Sequence, residues 1–215
     1  IITSSPKLKK ICDENNLNMK NNKSVFIPPS INLKKYWPLK NLNENKKLII
    51  GWTGTFSSQE YLTSLTNVFN SLSKIINFEI LIISNNKFSF ENIDTKFIKW
   101  NKETEINDLL KIDIGLYPLN YDPWVEGKSG LKAMQYMSLG IPTIATNIGQ
   151  AMNIIEHDYD GFLVNTEQEW VDSIVRLHDN PELRRTFGIR SRKKIEKMFS
   201  FDTIKNKYLN ILKEL

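Results

Sequence analysis

The stretch that most limits the fold runs from residue 112 to residue 146. A strand-like run, Ile112 to Leu119, comes before a turn rich in Gly, Lys and Ser, Gly127 to Gly130. A helical run follows, with Leu131, Met134, Met137 and Leu139 mostly three or four residues apart. Gly140 stops it, and Pro142 opens a second strand-like run, Thr143 to Thr146. Strand, glycine turn, helix, strand is a parallel crossover unit. The chain is therefore read as α/β: a doubly wound, Rossmann-like parallel sheet.

The chemistry of this unit sits at its turn. Gly127 and Gly130 would let the backbone approach a ligand. The free N–H groups at a helix start attract an anion, and Lys128 adds a full positive charge. Lys132 and Gln135 lie three residues apart and share a helix face. A phosphate or diphosphate is the natural guest. The plain alternative is a turn that merely needs glycine, with solvated lysines beside it.

The rest of the chain alternates in the same way. Ile1 to Ser5 reads as a short strand, Lys7 to Asn15 as a helix with Ser5 capping and Pro6 in its first turn, and Val25 to Ile27 as a strand. Asn15 to Asn22 is polar loop, and Ser30 to Leu42 reads as a linker. Lys47 to Trp52 is a buried-type strand running into Gly54 and Thr55, and Gln59 to Ile76 is one amphipathic helix with apolar positions from Leu62 to Ile75. A glycine turn after the first strand of a doubly wound sheet is a ligand-binding place. Phe78 to Ser84 and Phe97 to Trp100 are strands, and Glu103 to Lys111 is a short helix. Met152 to Glu156 is another short helix, Gly161 to Val164 the last strand. Thr166 with Glu169 forms a capping box. A helix from Asn180 to Met198 carries seven basic residues: Arg184, Arg185, Arg190, Arg192, Lys193, Lys194 and Lys197. They form either a solvated face or a surface for a membrane or an acidic partner. Ser200 to Thr203 opens a final amphipathic helix.

The order of residues in the opening stretch resembles the donor-binding segment of GT-B fold glycosyltransferases of family 4 type, the group 1 glycosyltransferases. There a Glu, seven residues, then Glu-Ala-Met-x-x-Gly-x-Pro-x-Ile-Ala recurs. Gln135-Tyr-Met-Ser-Leu-Gly-Ile-Pro-Thr-Ile-Ala145 matches the second half. Gln135 stands where the second Glu, the ribose ligand, is expected. Gly127 stands at the first, and Glu126 is one position early. Gly-Lys-x-Gly-x-Lys followed by Gln-Tyr-Met looks like a subgroup of these enzymes. The family often carries Arg and Lys after its first glycine turn, where Ser57, Ser58 and Gln59 stand here. Lys128 is read as a replacement for that charge.

The resemblance implies residue roles. Gly54, Thr55, Lys128, Ser129, Gly130 and Lys132 would hold the donor diphosphate, and Gln135 the ribose. Trp100 and Asn101 would meet the base, and Glu126 and Gly127 would lie near the donor sugar. Asn153 matches a position where the family usually has Glu, and Asp122-Pro123-Trp124 is a flap over the donor or plain surface packing. It further implies three segments: residues 1–42, the end of an acceptor-side domain and a linker; 43–200, the nucleotide-sugar-binding domain; and 201–215, a helix crossing back. The implied reaction moves a sugar, with retention, from a nucleoside diphosphate sugar to a saccharide or lipid-linked acceptor. The donor is a substrate, and no cofactor or metal is called for. Catalytic groups of the missing N-terminal domain would lie outside this chain, leaving the fragment inactive alone. Other readings are an epimerase or phosphorylase on a similar scaffold, or a non-catalytic phosphate- or lipid-binding module.

Composition narrows the classes. With 215 residues, 40% of them hydrophobic and 25% charged, the chain can fill one α/β domain and is not disordered as a whole. A net charge of +5 with scattered lysines does not favour a nucleic-acid partner. Cys12 is the only cysteine, so no disulfide forms within the chain, which fits a reducing compartment. No apolar run is long enough to span a bilayer and no signal pattern is present. The expected place is cytoplasmic, with peripheral contact at the inner face of a membrane left open. His157 and His178 stand apart and offer no metal site. The start at Ile1 suggests the C-terminal part of a longer protein.

Overall fold

A computed structural model describes residues 1–15, 24–37, 39–40 and 47–213. The expected loop at 16–22 and the expected segment boundary at 42/43 lie outside the described residues.

Two layers of helix enclose a parallel sheet because the strands are apolar on both faces. The chain opens with β1 (Ile2–Thr3), α1 (Pro6–Asn15) and β2 (Val25–Phe26), where β1 and β2 pair in parallel as a separate two-stranded sheet. Ser5 Oγ accepts from Leu8 N–H at 3.2 Å, so the cap read from the sequence starts α1. The main unit begins with β3 (Leu48–Gly54), followed by a 3₁₀ turn at Phe56–Ser58, α2 (Gln59–Thr63) and α3 (Thr66–Leu72). Then come β4 (Phe78–Ser84), β5 (Thr95–Lys99), α4 (Glu105–Leu109), β6 (Ile114–Tyr117), α5 (Leu131–Ser138) and β7 (Thr143–Thr146). The chain closes with α6 (Ala151–Ile154), β8 (Gly161–Val164), α7 (Glu167–Asp179), α8 (Pro181–Met198) and α9 (Phe201–Lys213).

The main sheet has six parallel strands in the order β5-β4-β3-β6-β7-β8. From β3 the chain winds to one side through β4 and β5. It then returns to lay β6 on the other side of β3 and winds outward through β7 and β8. Alternate residues feed two cores. Ile50, Trp52, Ile80, Ile82, Ile144 and Phe162 pack towards α3 and α7, with Phe69, Leu72, Trp170 and Ile174. Leu81, Ile83, Tyr117 and Ala145 pack the other way with α5, α6 and the end of α8. Segments distant in sequence are tied together by Ile31 N–H donating to Phe199 O at 2.8 Å and Phe201 N–H donating to Ile31 O at 3.0 Å.

Three expectations need correction. The helix read as continuous from 59 to 76 breaks at Ser64 and Leu65, where Leu65 N–H donates to Leu62 O, a tighter i to i+3 turn. Its last apolar position, Ile75, is 59% exposed rather than core. On α8, Arg184 and Arg192 are buried, so the seven basic residues are not one solvated face.

Candidate functional site

Strand order reverses between β3 and β6, and such a switch point leaves a crevice at the carboxyl ends of the two strands. β3 ends at Gly54 and β6 at Tyr117. A cavity of about 350 Å³ opens there, walled by Trp52, Ser58 and Tyr61 on one side and by Tyr117 and Lys128 to Lys132 on the other. The start of α5 points into it.

The turn before α5 explains its own glycine. Val125–Gly127 forms a 3₁₀ turn, closed by Lys128 N–H donating to Val125 O at 2.9 Å. Gly130 then takes φ +74°, and a Cβ there would overlap the Ile154 side chain. Both facts demand glycine. Gly127 differs from expectation. It is not left-handed, and a Cβ would rest 3.5 Å from Leu8, an ordinary contact. Only one of the two glycines read from the turn is therefore needed by the backbone.

Two lysines reach the cavity. Lys132 Nζ donates to Ser58 Oγ at 3.0 Å and lies 5.0 Å from the centre of the Trp52 ring. Gly54 makes that position available, since a Cβ there would sit 2.8 Å from the ammonium and overlap the indole. Thr55 Oγ1 continues the chain of hydroxyls, 3.0 Å from Ser57 Oγ and 3.4 Å from Ser58 Oγ. Lys128 Nζ lies 4.7 Å from the centre of the Tyr61 ring. Among the described residues, neither lysine is paired with a carboxylate. Burial, with Lys128 adding like-charge repulsion, lowers the Lys132 pKa to about 8. Burial also pushes the Tyr117 phenol up to about 12, against a hydrogen bond from the Gly130 backbone.

Gln135 does not line this cavity. It faces a second polar group one turn further along α5, where its Nε2 donates to Tyr36 Oη at 2.6 Å and to Glu105 Oε1 at 3.3 Å. Trp100 Nε1 donates to the same Glu105 oxygen at 3.3 Å. Lys35 pairs with Glu105 Oε2 at 2.5 Å. Burial works to raise the Glu105 carboxyl, but hydrogen bonds from Lys35, Trp100 and Tyr36 outweigh it and hold it below the ordinary range. Burial pushes the Tyr36 phenol up to about 12. The structure thus joins Gln135 and Trp100 through one carboxylate. Asn101 stands beside them, its side chain accepting from Glu103 N–H at 2.9 Å.

Glu126 and Gly127 look elsewhere. Glu126 pairs with Lys7 on α1 at 2.8 Å, and the two border a cavity of about 300 Å³ with Asn147, Gly149 and Asn153. Asn153 lies inside α6 rather than at its start, and donates to Gln150 Oε1 at 3.2 Å. Trp124 is 80% exposed. Of the two histidines, His157 Nδ1 accepts from Leu163 N–H at 3.1 Å and His178 Nδ1 lies 2.7 Å from Asp179.

Sequence reasoning missed Ser58, Tyr61, Tyr36 and Glu105. Ser58 could have been found as the nearest hydroxyl after the first glycine turn. Glu105 and Tyr36 carry no local signal for this group, since the bonds that join them to Gln135 and to each other span 30 to 99 residues, and only Trp100 is near Glu105 in sequence.

The family described as "Glycosyl transferases group 1" matches residues 34–194. A capsular polysaccharide biosynthesis glycosyltransferase of Staphylococcus aureus, CapM, is 25% identical over 187 residues, 81% of this chain and 49% of that protein. A probable sucrose-phosphate synthase of Thermosipho melanesiensis is 23% identical over 211 residues, 89% of this chain and 48% of that protein. The chain spans about half the length of these curated relatives. Among solved structures, a glycosyltransferase of Rickettsia africae has a TM-score of 0.79 at 17% identity, over 99% of this chain and 62% of that one. The Anabaena protein HepE, solved in complex with UDP and glucose, has a TM-score of 0.76 at 15% identity, over 100% of this chain and 63% of that one. These structures share the fold, the six-stranded parallel unit seen in the C-terminal domains of GT-B glycosyltransferases. The family match takes in β3 to most of α8, together with the cavity at the switch point and the Gln135 group, and on that span the chain belongs to the group 1 glycosyl transferases.

Proposed function

We propose that this chain is the donor-binding part of a transferase that moves a sugar from a nucleoside diphosphate sugar to an acceptor, with retention at the anomeric carbon. One observation carries the reading: Lys128 and Lys132 enter the same cavity at a helix start, and among the described residues no carboxylate pairs with either. As the bond between the anomeric carbon and the diphosphate oxygen breaks, the electron pair stays on the diphosphate. Cations already in place stabilise that charge without reorganising. The first N–H groups of α5 add to the same field. No metal is required on this reading.

The other assignments follow from neighbourhood. Gln135 and Glu105 together offer partners for the ribose hydroxyls. Trp100 and the backbone at Asn101 border the base. Glu126 and Gly127 stand on the side of the donor sugar. CapM's printed role in capsular polysaccharide biosynthesis supports a saccharide or lipid-linked acceptor, held by residues outside this chain. The fragment alone is expected to bind donor and turn over little.

Calorimetry with UDP, GDP and ADP tests the reading. Heat is expected with at least one diphosphate, and about tenfold or greater weakening in Lys132→Met, because hydrogen bonds between charged groups contribute about 1.5–3 kcal/mol. Absence of heat with all three, or unaltered affinity in that variant, would defeat it.

A further inference from the structure

Away from the switch point, a groove of about 510 Å³ lies between α8 and the turn that precedes β8. It is at the amino end of β8, whereas the candidate donor cavity lies at the carboxyl ends of β3 and β6. Arg190, Lys193, Lys194 and Lys197 face it, at i, i+3, i+4 and i+7, so one stripe of α8 carries four cations. Among the described residues, the single carboxylate in its lining is Asp160, paired with Lys194 at 2.6 Å. Glu156 stands 3.9 Å from the same ammonium. Arg190 lies 4.3 Å from the centre of the Tyr159 ring and donates to Tyr159 O at 3.2 Å. Lys193 and Lys197 have no ion-pair partner among the described residues.

The cations are interleaved with exposed apolar groups. Ile189, Lys193 and Lys197 form one row along the helix, and Arg190, Lys194 and Met198 the next. Ile189 is 43% and Met198 44% exposed. A solvated helix face would mix in acids to balance its charge. A pocket built for a small free anion would offer converging backbone N–H groups, and the interior of α8 has none to spare, since helical N–H groups are bonded within the helix. Basic residues edged by large apolar side chains match a bilayer interface, where phosphates meet the cations and hydrocarbon meets the apolar groups.

We propose that this groove docks the chain on an anionic lipid surface through the phosphate headgroups. Lys193, Lys197 and Arg190 make the phosphate contacts, and Ile189 and Met198 enter the interface. Lys194 holds Asp160 and is structural. The proposal does not depend on the donor cavity.

Co-sedimentation of the full chain with vesicles tests it. Binding is expected to vesicles of phosphatidylcholine with phosphatidylglycerol, not to phosphatidylcholine alone, and it should weaken as salt rises. Each charge near such a surface contributes roughly fivefold. Lys193→Gln with Lys197→Gln should therefore weaken binding about twentyfold, and adding Arg190→Gln about a hundredfold. Far-ultraviolet dichroism verifies that the variants stay folded, and the double variant touches no paired group. Lys128→Ala should leave vesicle binding unchanged, which separates this surface from the donor cavity. Equal binding to both vesicle types, or full binding by the folded double variant, would overturn the proposal. So would a charge-dependent response to soluble pyrophosphate or to an acidic peptide in a chain that ignores anionic vesicles.

Discussion

Helices α5 and α8 both bring cations out of water, but they treat them differently. Arg192 on α8 is buried, and its guanidinium donates to Ser138 O, to Tyr36 O and to Glu196 at 2.6 Å. Arg184 donates to Leu177 O and to His178 O at 3.0 Å. Ser138 ends α5, and Leu177 and His178 lie in the last turn of α7. Each arginine therefore satisfies carbonyls that a helix end leaves open, where a positive charge is also favoured by the helix dipole. Lys132 has a hydroxyl, an indole face and another lysine. The first arrangement stabilises the fold. The second burdens it, and a burden kept at the mouth of a crevice is what a binding site for an opposite charge requires.

That contrast predicts opposite signs for charge removal. Arg192→Met strands two buried carbonyls, each costing about 1–3 kcal/mol, and is expected to lose about 3 kcal/mol or more in urea unfolding. Diphosphate affinity of the folded fraction should not change. A loss under 1 kcal/mol would show that the carbonyls find other partners and would blur the distinction.

Lys132→Met should go the other way. A lysine held near 8 instead of 10.5 disfavours its own charged state, so the neutral variant is expected to gain roughly 1–3 kcal/mol while losing diphosphate affinity. Gly54 leaves room for the unbranched side chain. Loss of both stability and affinity would mean that the ammonium serves the fold, as Arg192 does.

The same lysine sets a pH dependence. Its folded value lies below its unfolded value, so below about pH 8 both states are charged and the fold carries the full penalty. Between about 8 and 10.5 the folded chain sheds the proton while the unfolded chain keeps it, and stability rises across that window. Diphosphate favours the protonated lysine, so affinity should fall across the same window. Parallel titrations of melting temperature and of diphosphate affinity test this, and a melting temperature that falls from pH 8 to 9.5 for reasons traced to Lys132→Met would reverse the assignment.

The arginines and lysines also differ in how legible they were. The strands Phe78–Ser84, Thr143–Thr146 and Gly161–Val164 and the Thr166–Glu169 capping box could be read residue by residue, because β-branched runs, stops and caps are local signals. The break at Ser64–Leu65 could not. Leu62, Leu65 and Val68 are spaced by three, which serves a tight turn as well as a helix, so periodicity stays intact across it. For the candidate site, the turn and its lysines stood out in sequence, but what faces them did not. Ser58 is 74 residues from Lys132, and Tyr36 is 99 from Gln135. On α8, sequence alone could count seven positive charges but could not tell Arg192, which closes a helix end, from Lys193, which faces solvent.

Lys128 gives the smallest and most pointed effect. Its ammonium sits over the Tyr61 ring, an interaction of about 0.5–1 kcal/mol at such sites, but it also repels Lys132. The two contributions oppose each other, so Lys128→Ala should change stability by no more than about 0.5 kcal/mol. Removing the like charge lets the Lys132 pKa climb from about 8 towards its ordinary value. The pH window of the preceding test should then begin at higher pH, while diphosphate affinity at neutral pH falls about tenfold for the lost charge. A shifted window with weakened binding requires that the two ammoniums share one cavity and one ligand. Weakened binding with an unmoved window would instead mean that Lys128 reaches the ligand from outside the field of Lys132, and the pairing of the two lysines would dissolve into separate surface contacts.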